Sequence, residues 1–111
     1  MRPIKFRAWT GKKIISWGIL RNLKTVMLSL ILEWGHRDYI PMQFTGLLDK
    51  NGKEIYEGDI VKIEDQFWGV YRDESYLEYF IMNGESNEPM YSYAHYEVVG
   101  NIYENPELVN A

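Results

Sequence analysis

The sequence predicts an all-β or β-dominated (α+β) protein, a small antiparallel β-barrel with at most one or two short helices. Three observations support this prediction. Short runs of alternating apolar and polar residues recur at intervals of about eight to twelve residues. Polar turn sequences rich in Gly, Asp and Asn separate these runs, and 15% of the 111 residues are aromatic. Large rings fill the interior of small barrels, so such a content suits this class.

The N-terminal residues predict a hairpin. Residues 4–9 alternate Ile, Phe and Ala with Lys, Arg and Trp, which is the period-two pattern of a half-buried strand. Residues 10–13 have turn chemistry, and residues 14–17 form a return strand. Residues 19–34 remain open between helix and strand, because Leu and Met favour a helix while the apolar alternation favours a strand. We predict a helical turn over 20–25 and a strand over 26–33.

From residue 35 onward, turn-forming residues occur at short intervals. Gly35 to Asp38 reads as a loop, and Pro41 limits the two residues before it to an edge strand or an extended lead-in. The remaining predicted strands are 42–45, 54–56, 60–63, 67–71, 76–82 and 93–101. Tight turns are predicted at 49–52, 57–59, 73–75 and 83–85. Residues 1–111 are expected to form a single domain, with 106–111 as a loose tail.

Composition excludes several function classes. The chain has no cysteine, which rules out disulfide scaffolds, zinc knuckles and thiol catalysis and suits a reducing cytoplasm. The longest apolar run, residues 26–32, is too short to span a bilayer. It is preceded by seven basic side chains and followed by no cleavage site, so it is not a signal peptide. We therefore expect a cytoplasmic protein.

The net charge of −4 conceals a strong asymmetry. Residues 1–37 carry eight Lys/Arg and one acid, which is +7, whereas residues 38–111 carry four bases and fifteen acids, which is −11. This division suggests either a basic arm for nucleic acid or two halves that attract each other after folding. The second explanation is favoured in so short a chain.

One segment has the residues of a metal site. Glu54, Glu57 and Asp59 could hold a hard cation such as Mg²⁺. Alternation along a strand does not bring these acids together, however, and Gly58 with Asp59 is typical of a capped tight turn. Gly52 similarly belongs to a hairpin turn rather than a phosphate loop. We therefore predict structural turns at Gly52, Gly58 and Asp59, with no metal and no cofactor.

Catalytic residues are scarce. His36 and His95 are far apart, and no spacing assigns either of them a nucleophile or a carboxylate partner. We expect the protein not to be an enzyme.

Two sets of residues could instead contact a macromolecule. Nucleic acid would meet basic residues of the N-terminal third, namely Lys5, Arg7, Lys12, Lys13, Arg21 and Lys24. A partner protein would meet aromatic residues of the acidic part, because Tyr and Trp supply large amphipathic contact area. These aromatic candidates are Trp68, Tyr71, Tyr76, Tyr79, Tyr91 and Tyr93. Some of these rings are expected only to fill the core.

Three blocks of the chain together carry a resemblance to a known family. They are Ile4 to Trp9, Met42 to Val61 with its Phe-Thr-Gly-Leu and Glu-Ile-Tyr-Glu-Gly-Asp motifs, and Tyr96 to Leu108. With these blocks the chain resembles the YopX family of small phage and prophage proteins. Leu48 departs from the pattern, because a Lys is commoner there. The resemblance implies a compact β-rich, barrel-like fold and a phage or prophage origin in bacterial cytoplasm, and it implies no chemistry.

The expected function is therefore that of a non-enzymatic phage accessory protein that binds an unidentified host or phage protein. A nucleic-acid-binding regulator that uses the basic N-terminal third is the alternative. A metal-dependent hydrolase built on Glu54, Glu57 and Asp59 is a weaker one.

Overall fold

The structure is a computed structural model that describes residues 5–22, 40–73, 78–84, 86–91 and 95–109. Strands hold 55% of the described residues and form two sheets, one of which is curled into a half-barrel. The prediction of a β-dominated fold is confirmed. Among the described residues, no helix is long and apolar enough to cross a membrane.

Two compact units divide the chain, Met1–Phe44 and Thr45–Ala111. The first contains β1 (Phe6–Trp9), β2 (Ile14–Ile15), a single helical turn α1 (Trp17–Leu20) and the start of β3 (Ile40–Leu48). The single-domain organisation expected from chain length stays a prediction.

The first unit is built on β1, which pairs antiparallel with both β2 and β3. The turn between β1 and β2 has Gly11 at φ +93°, and the hydroxyl of Thr10 accepts hydrogen bonds from the N–H groups of Lys12 and Lys13, each at 3.3 Å. A small core forms where Ala8 and Leu20 are fully buried. The predicted opening hairpin is therefore present.

Residue Trp17 was expected to end the second strand, but it begins α1 instead. The N–H of Leu20 donates to the carbonyl of Ser16 at 3.0 Å, and this turn carries Leu20 into the small core beside Ala8. Burial of Leu20 thus favours a helical turn over the predicted continuation of the strand to Trp17. The predicted strand 26–33 and most of the predicted helical turn 20–25 lie outside the described residues.

β3 is longer than predicted, because it continues through Gly46, whose backbone is in the left-handed region. Gly46 has φ +87°, and the buried hydroxyl of Thr45 donates to the carbonyl of Ile55 at 2.8 Å while accepting from the N–H of Leu47 at 3.1 Å. The strand is hydrogen-bonded to β4 in the sheet. The strand thus passes through the unusual conformation of Gly46 while the hydroxyl of Thr45 hydrogen-bonds on both sides.

The second unit contains six further strands. Their bounds are β4 Glu54–Tyr56, β5 Asp59–Ile63, β6 Gln66–Asp73, β7 Glu78–Met82, β8 Asn87–Pro89 and β9 Glu97–Asn101. Five of them form an antiparallel sheet in the order β8-β7-β6-β5-β9, with a bulge where β5 meets β9.

One face of this sheet builds the main core of the second unit. Alternate residues of β5, β6 and β7 point to it, so that a continuous cluster excludes water. Its buried members are Ile55, Val61, Trp68, Val70, Tyr79, Ile81 and Tyr96.

Three features differ from the predicted strand pattern. β8 was not predicted, since Asn, Glu and Pro are poor strand formers and only its pairing with β7 defines it. β9 begins at Glu97 rather than at residue 93, and residues 92–94 lie outside the described ones. The tail expected to be loose from residue 106 contains a 3₁₀ turn, Pro106–Leu108, because proline already has the backbone angle that starts such a turn.

Candidate interaction groove

An apolar groove of about 430 Å³ lies on the second unit. It is lined by Gly69, Met82, Gly84, Ile102, Pro106 and Val109. The side chains of Met82 and Ile102 remain 44% and 37% exposed. Among the described residues that line the groove, none has an ionisable side chain, so this lining suits apolar groups.

The sheet places this groove on the face opposite the core. Trp68 and Val70 point into the core, so Gly69 between them points away from it. Gly69 lies opposite Met82 in the β6–β7 register. We call the side of β5, β6 and β7 that carries these two residues the Gly69 face.

The missing side chain of Gly69 opens the groove. A β-carbon there would lie 3.7 Å from Cγ2 of Ile102, so the isoleucine sits directly above the glycine. Gly58 fixes this arrangement, because its N–H donates to the carbonyl of Val70 and its carbonyl accepts from the N–H of Ile102, both at 2.8 Å. Gly58 has φ +88°, a conformation that favours glycine. The turn after β4 therefore positions one wall of the groove.

The segment after β9 forms the rest of that wall through a side-chain turn. The amide oxygen of Asn101 accepts hydrogen bonds from the N–H groups of Tyr103 at 3.1 Å and Glu104 at 2.9 Å. The Nδ2 of Asn101 donates to Oε1 of Glu104 at 2.7 Å. The side chain of Asn105 packs against Gly100, where a β-carbon would meet its Cγ at 2.8 Å. A side chain at position 100 would therefore force that of Asn105 to move.

Two ionisable groups of the second unit have perturbed pKa values. Burial opposes ionisation of Asp49, but hydrogen bonds from the backbone N–H groups of Val98, Lys53 and Asn51 outweigh it and hold the pKa of Asp49 below its usual 3.8. Burial raises the pKa of Tyr103 above its usual 10.0, and the negative charge of Glu57 raises it further.

Of the residues predicted to form structural turns, Gly52 and Gly58 lie in turns, and Asp59 is the first residue of β5 and caps the turn before it with its side chain. Gly52 has φ +82° in the turn after β3, where the Oδ1 of Asp49 accepts from the N–H of Asn51 at 2.8 Å. Asp59 is almost fully buried, and its Oδ2 accepts from the N–H of Tyr56 at 2.8 Å.

The three carboxylates of the possible metal site have other contacts. Oε1 of Glu54 accepts from the hydroxyl of Tyr56 at 3.1 Å, and Asp59 caps the turn. Within the part of the chain that the structure describes, no group of three or more His, Asp or Glu side chains is arranged to hold a metal ion. Glu54, Glu57 and Asp59 are thus not brought together.

The aromatic candidates for a protein surface separate into three groups. Trp68 and Tyr79 are only 7% exposed and belong to the core, so both are corrected from contact residues to structural ones. The alternation of β6 and β7 turns them inward. Tyr71 is half-buried on the Gly69 face and Tyr91 is 46% exposed. Tyr76 and Tyr93 lie outside the described residues.

The basic candidates for nucleic-acid contact also divide. Lys12, Lys13 and Arg21 are exposed. Lys5 and Arg7 are half-buried, and the Nζ of Lys5 lies 5.4 Å from the ring centre of Phe44. Lys24 lies outside the described residues. Of the two histidines, His95 is exposed and His36 lies outside the described residues.

A family model described as "YopX protein" matches residues 20–110. The chain belongs to the YopX family. The match includes the whole five-stranded sheet and the groove, whereas the hairpin that opens the first unit precedes it.

One solved structure gives this YopX protein a close structural parallel. The crystal structure of protein EF1440 from Enterococcus faecalis shares 26% sequence identity and a TM-score of 0.65. The similarity covers 99% of this chain and 100% of that one. A search of curated proteins finds no match for this YopX chain.

The groove of this YopX protein was not predicted from its sequence. The available signal was Gly69 in the middle of a strand, because glycine inside a strand often marks the close approach of another group. That signal does not name Ile102 as the approaching residue, since the contact spans 33 positions and depends on the Gly58 turn.

Proposed function

We propose that this YopX-family chain is a phage or prophage accessory protein that has no catalytic activity and acts by binding a protein through the groove. The observation that carries the proposal is the pair of exposed side chains, Met82 and Ile102, above the glycine floor. Exposed apolar surface beside a pocket is typical of an interaction site, and methionine adapts to the shape of a partner.

The lining of the groove supports binding rather than catalysis. General acid–base catalysis needs a titratable group within hydrogen-bond reach of the substrate. The lining residues that the structure describes are Gly, Met, Ile, Pro and Val, and these supply no such group. An apolar anchor from a partner protein matches this lining, because such anchors fill desolvated pockets at the centre of interfaces.

The charge of the second unit favours a protein over a nucleic acid at this site. Residues 45–111 contain four bases and fourteen acids, which is a net charge of −10. Phosphate backbones are repelled by such a field, whereas a protein segment with basic side chains is attracted.

The test is site-specific photo-crosslinking in the bacterium that carries the gene. A benzophenone amino acid replaces Met82 in one variant, and Leu48 in the control, since Leu48 is 55% exposed but outside the groove. The proposal expects a discrete protein adduct from position 82 and none of the same size from position 48. Excess wild-type chain should compete for the partner, and excess Ile102→Asn chain should not.

Equal adducts from both positions, or an adduct at 82 that nuclease removes, would contradict the proposal. Competition by Ile102→Asn as strong as by the wild type would also contradict it, because the groove would then be irrelevant. Circular dichroism on each variant verifies that the sheet is intact.

A further inference from the structure

The Gly69 face extends along β6 and β7 beyond the groove. Side chains on neighbouring strands that lie directly opposite share a face, and every second pair returns to that face. The pairs on this face are, in order, Gly69 with Met82, Tyr71 with Phe80, and Asp73 with Glu78. The groove is therefore followed by a pair of rings and then by a pair of carboxylates.

The rings form a small aromatic platform. The centroids of Tyr71 and Phe80 are 5.7 Å apart and their planes differ by 27°, so they are stacked across the strands. Both side chains are half-buried, and Phe80 lies opposite Pro89 on its other side. Aromatic faces attract guanidinium and ammonium groups, so this platform suits a cation held by the adjacent acids.

The acids give the face a negative end. Asp73 lies opposite Glu78 in the register, and Glu78 is exposed. At the other end of the face, Lys62 lies opposite Phe67, with its Nζ 5.9 Å from the ring centre. The face therefore attracts a partner's basic group at the end with Asp73 and Glu78, and repels it at the end with Lys62.

The spacing sets the length of the segment that fits. Residues of a strand advance by about 3.3 Å each, so the rings lie about 7 Å and the acids about 13 Å from the groove along the strand. An extended segment spans this distance with about four residues. One apolar side chain and one basic side chain four positions apart would reach both ends together.

On the basis of the proposed function, we infer that the groove takes an extended peptide segment of a partner protein. Its leucine-like side chain enters the groove between Met82 and Ile102, and its Arg or Lys lies over the Tyr71–Phe80 rings against Asp73 and Glu78. Charge complementarity assigns this occupant, because Glu78 is exposed on the face that carries the apolar groove, and the second unit has a net charge of −10.

Defined peptides test the inference by fluorescence anisotropy on the full chain. The probes are fluorescein-labelled octapeptides in a Gly/Ser background, with leucine and arginine four positions apart in either order. Matched peptides replace arginine by glutamate, or leucine by serine. Each replacement should weaken binding by about tenfold or more, since one removes the apolar anchor and the other places like charges together.

Two protein variants change the same amount of charge on different faces. Glu78→Lys should reverse the preference, so that the leucine–glutamate peptide binds better than the leucine–arginine peptide. Glu88→Lys is the control, because Glu88 is also exposed but lies opposite Ile81, on the other side of the sheet. It should leave the preference unchanged. Added salt should reduce the preference for arginine more than the contribution of leucine.

The outcomes separate this inference from the proposed function. The inference that a partner's Arg or Lys binds beside Glu78 would be contradicted by equal binding of the arginine and glutamate peptides. Equal effects of Glu78→Lys and Glu88→Lys would contradict it as well. A partner protein still crosslinked at position 82 would then leave the proposed function standing. A crosslink from position 82 to a second copy of this chain would show that the partner is the chain itself, and would contradict the inference. Absence of both the crosslink and peptide binding would contradict the inference and the proposed function.

Discussion

The Oδ2 atom of Asp49 accepts a hydrogen bond from the backbone N–H of Val98 at 3.0 Å, and these two residues are 49 positions apart. Beside this contact, the N–H of Lys50 donates to the carbonyl of Tyr96 at 2.8 Å. The Asp49 side chain thus takes the place that a backbone carbonyl would have in another strand. Oδ1 of the same carboxylate accepts from the N–H groups of Asn51 at 2.8 Å and Lys53 at 2.9 Å.

Replacing this carboxylate should destabilise the protein in a pH-dependent way. Asp49→Asn turns one acceptor atom into a donor that faces an N–H group, so we expect a loss of about 1–3 kcal/mol in the free energy of unfolding at neutral pH. Urea denaturation at several pH values measures it.

The pH dependence follows from the direction of the shift. The pKa of Asp49 is below 3.8 in the folded protein, so its stabilisation is fully present above about pH 5 and is lost as the pH falls through 3.8 and below. The difference between wild type and Asp49→Asn should shrink over this acid range. A difference that stays constant from neutral pH to pH 3 would contradict the role given to the charge.

Gly58→Ala should destabilise the protein by more than about 1 kcal/mol, because a β-carbon is strained at φ +88°. Gly69→Ala is the matched control: its β-carbon makes only ordinary contacts, at 3.7 Å to Ile102 and 3.8 Å to the carbonyl of Met82. The control should be neutral or stabilising by up to about 1 kcal/mol. Thermal or urea unfolding compares the two, and equal effects would remove the strain argument.

Gly100→Ala should destabilise through contact with Asn105 rather than through backbone strain. The added β-carbon would meet Cγ of Asn105 at 2.8 Å, which forces the side chain to move. Asn105→Ala relieves this contact but removes the acceptor for the N–H of Asn101. In a double-mutant cycle, the combined loss should be smaller than the sum by about 0.5 kcal/mol or more. Strict additivity would show that the two residues do not interact.

Tyr103 should ionise above the pH range of an ordinary tyrosine. Its pKa is raised by burial and by Glu57, so stability linked to this group is present below pH 10.0 and is lost as the pH rises through the folded-state pKa. The difference in alkaline absorbance between wild type and Tyr103→Phe isolates its titration. Glu57→Gln should lower the pKa of Tyr103, and an unchanged curve would show that the charge of Glu57 has no effect.

The charge division predicts poor binding to nucleic acid. The chain as a whole presents a charge of −4 to a polyanion, so we expect no affinity for oligonucleotides tighter than about 10⁻⁴ M even at low salt. Fluorescence anisotropy with labelled single and double strands measures it. Tight, salt-sensitive binding that disappears when Lys12, Lys13, Arg21 and Lys24 are changed together to Ala would favour the regulator hypothesis instead.

Local chemistry explains which parts of the fold could be predicted. β4 has the predicted bounds, Glu54–Tyr56, because turns with glycine close it on both sides. Whether a ring faces the core was not predictable, since Phe67 and Trp68 are adjacent and both apolar. Alternation gives two faces but does not say which is buried. Pairing across the sheet decides this, and it places Trp68 inside.

The candidate site was predictable only in part. Tyr71 was named from its residue type, and its place on the Gly69 face agrees with a surface role. The groove itself needs the β6–β7 register, the missing side chain of Gly69 and the distant residue Ile102. None of these relationships is local in sequence.

The contact between Asp49 and Val98 also has a consequence for the order in which the sheet can form during synthesis. When the ribosome has made β3 to β6, the chain already contains the two local amide donors to Asp49, at Asn51 and Lys53. The third donor, Val98, emerges only after β7 and β8 have been made. The edge of β5 that later pairs with β9 stays open to solvent and to chaperones throughout that interval. The pairing of β9 with β5 can therefore form only late in synthesis. The last hydrogen bond to the Asp49 side chain, from Val98, forms at the same stage.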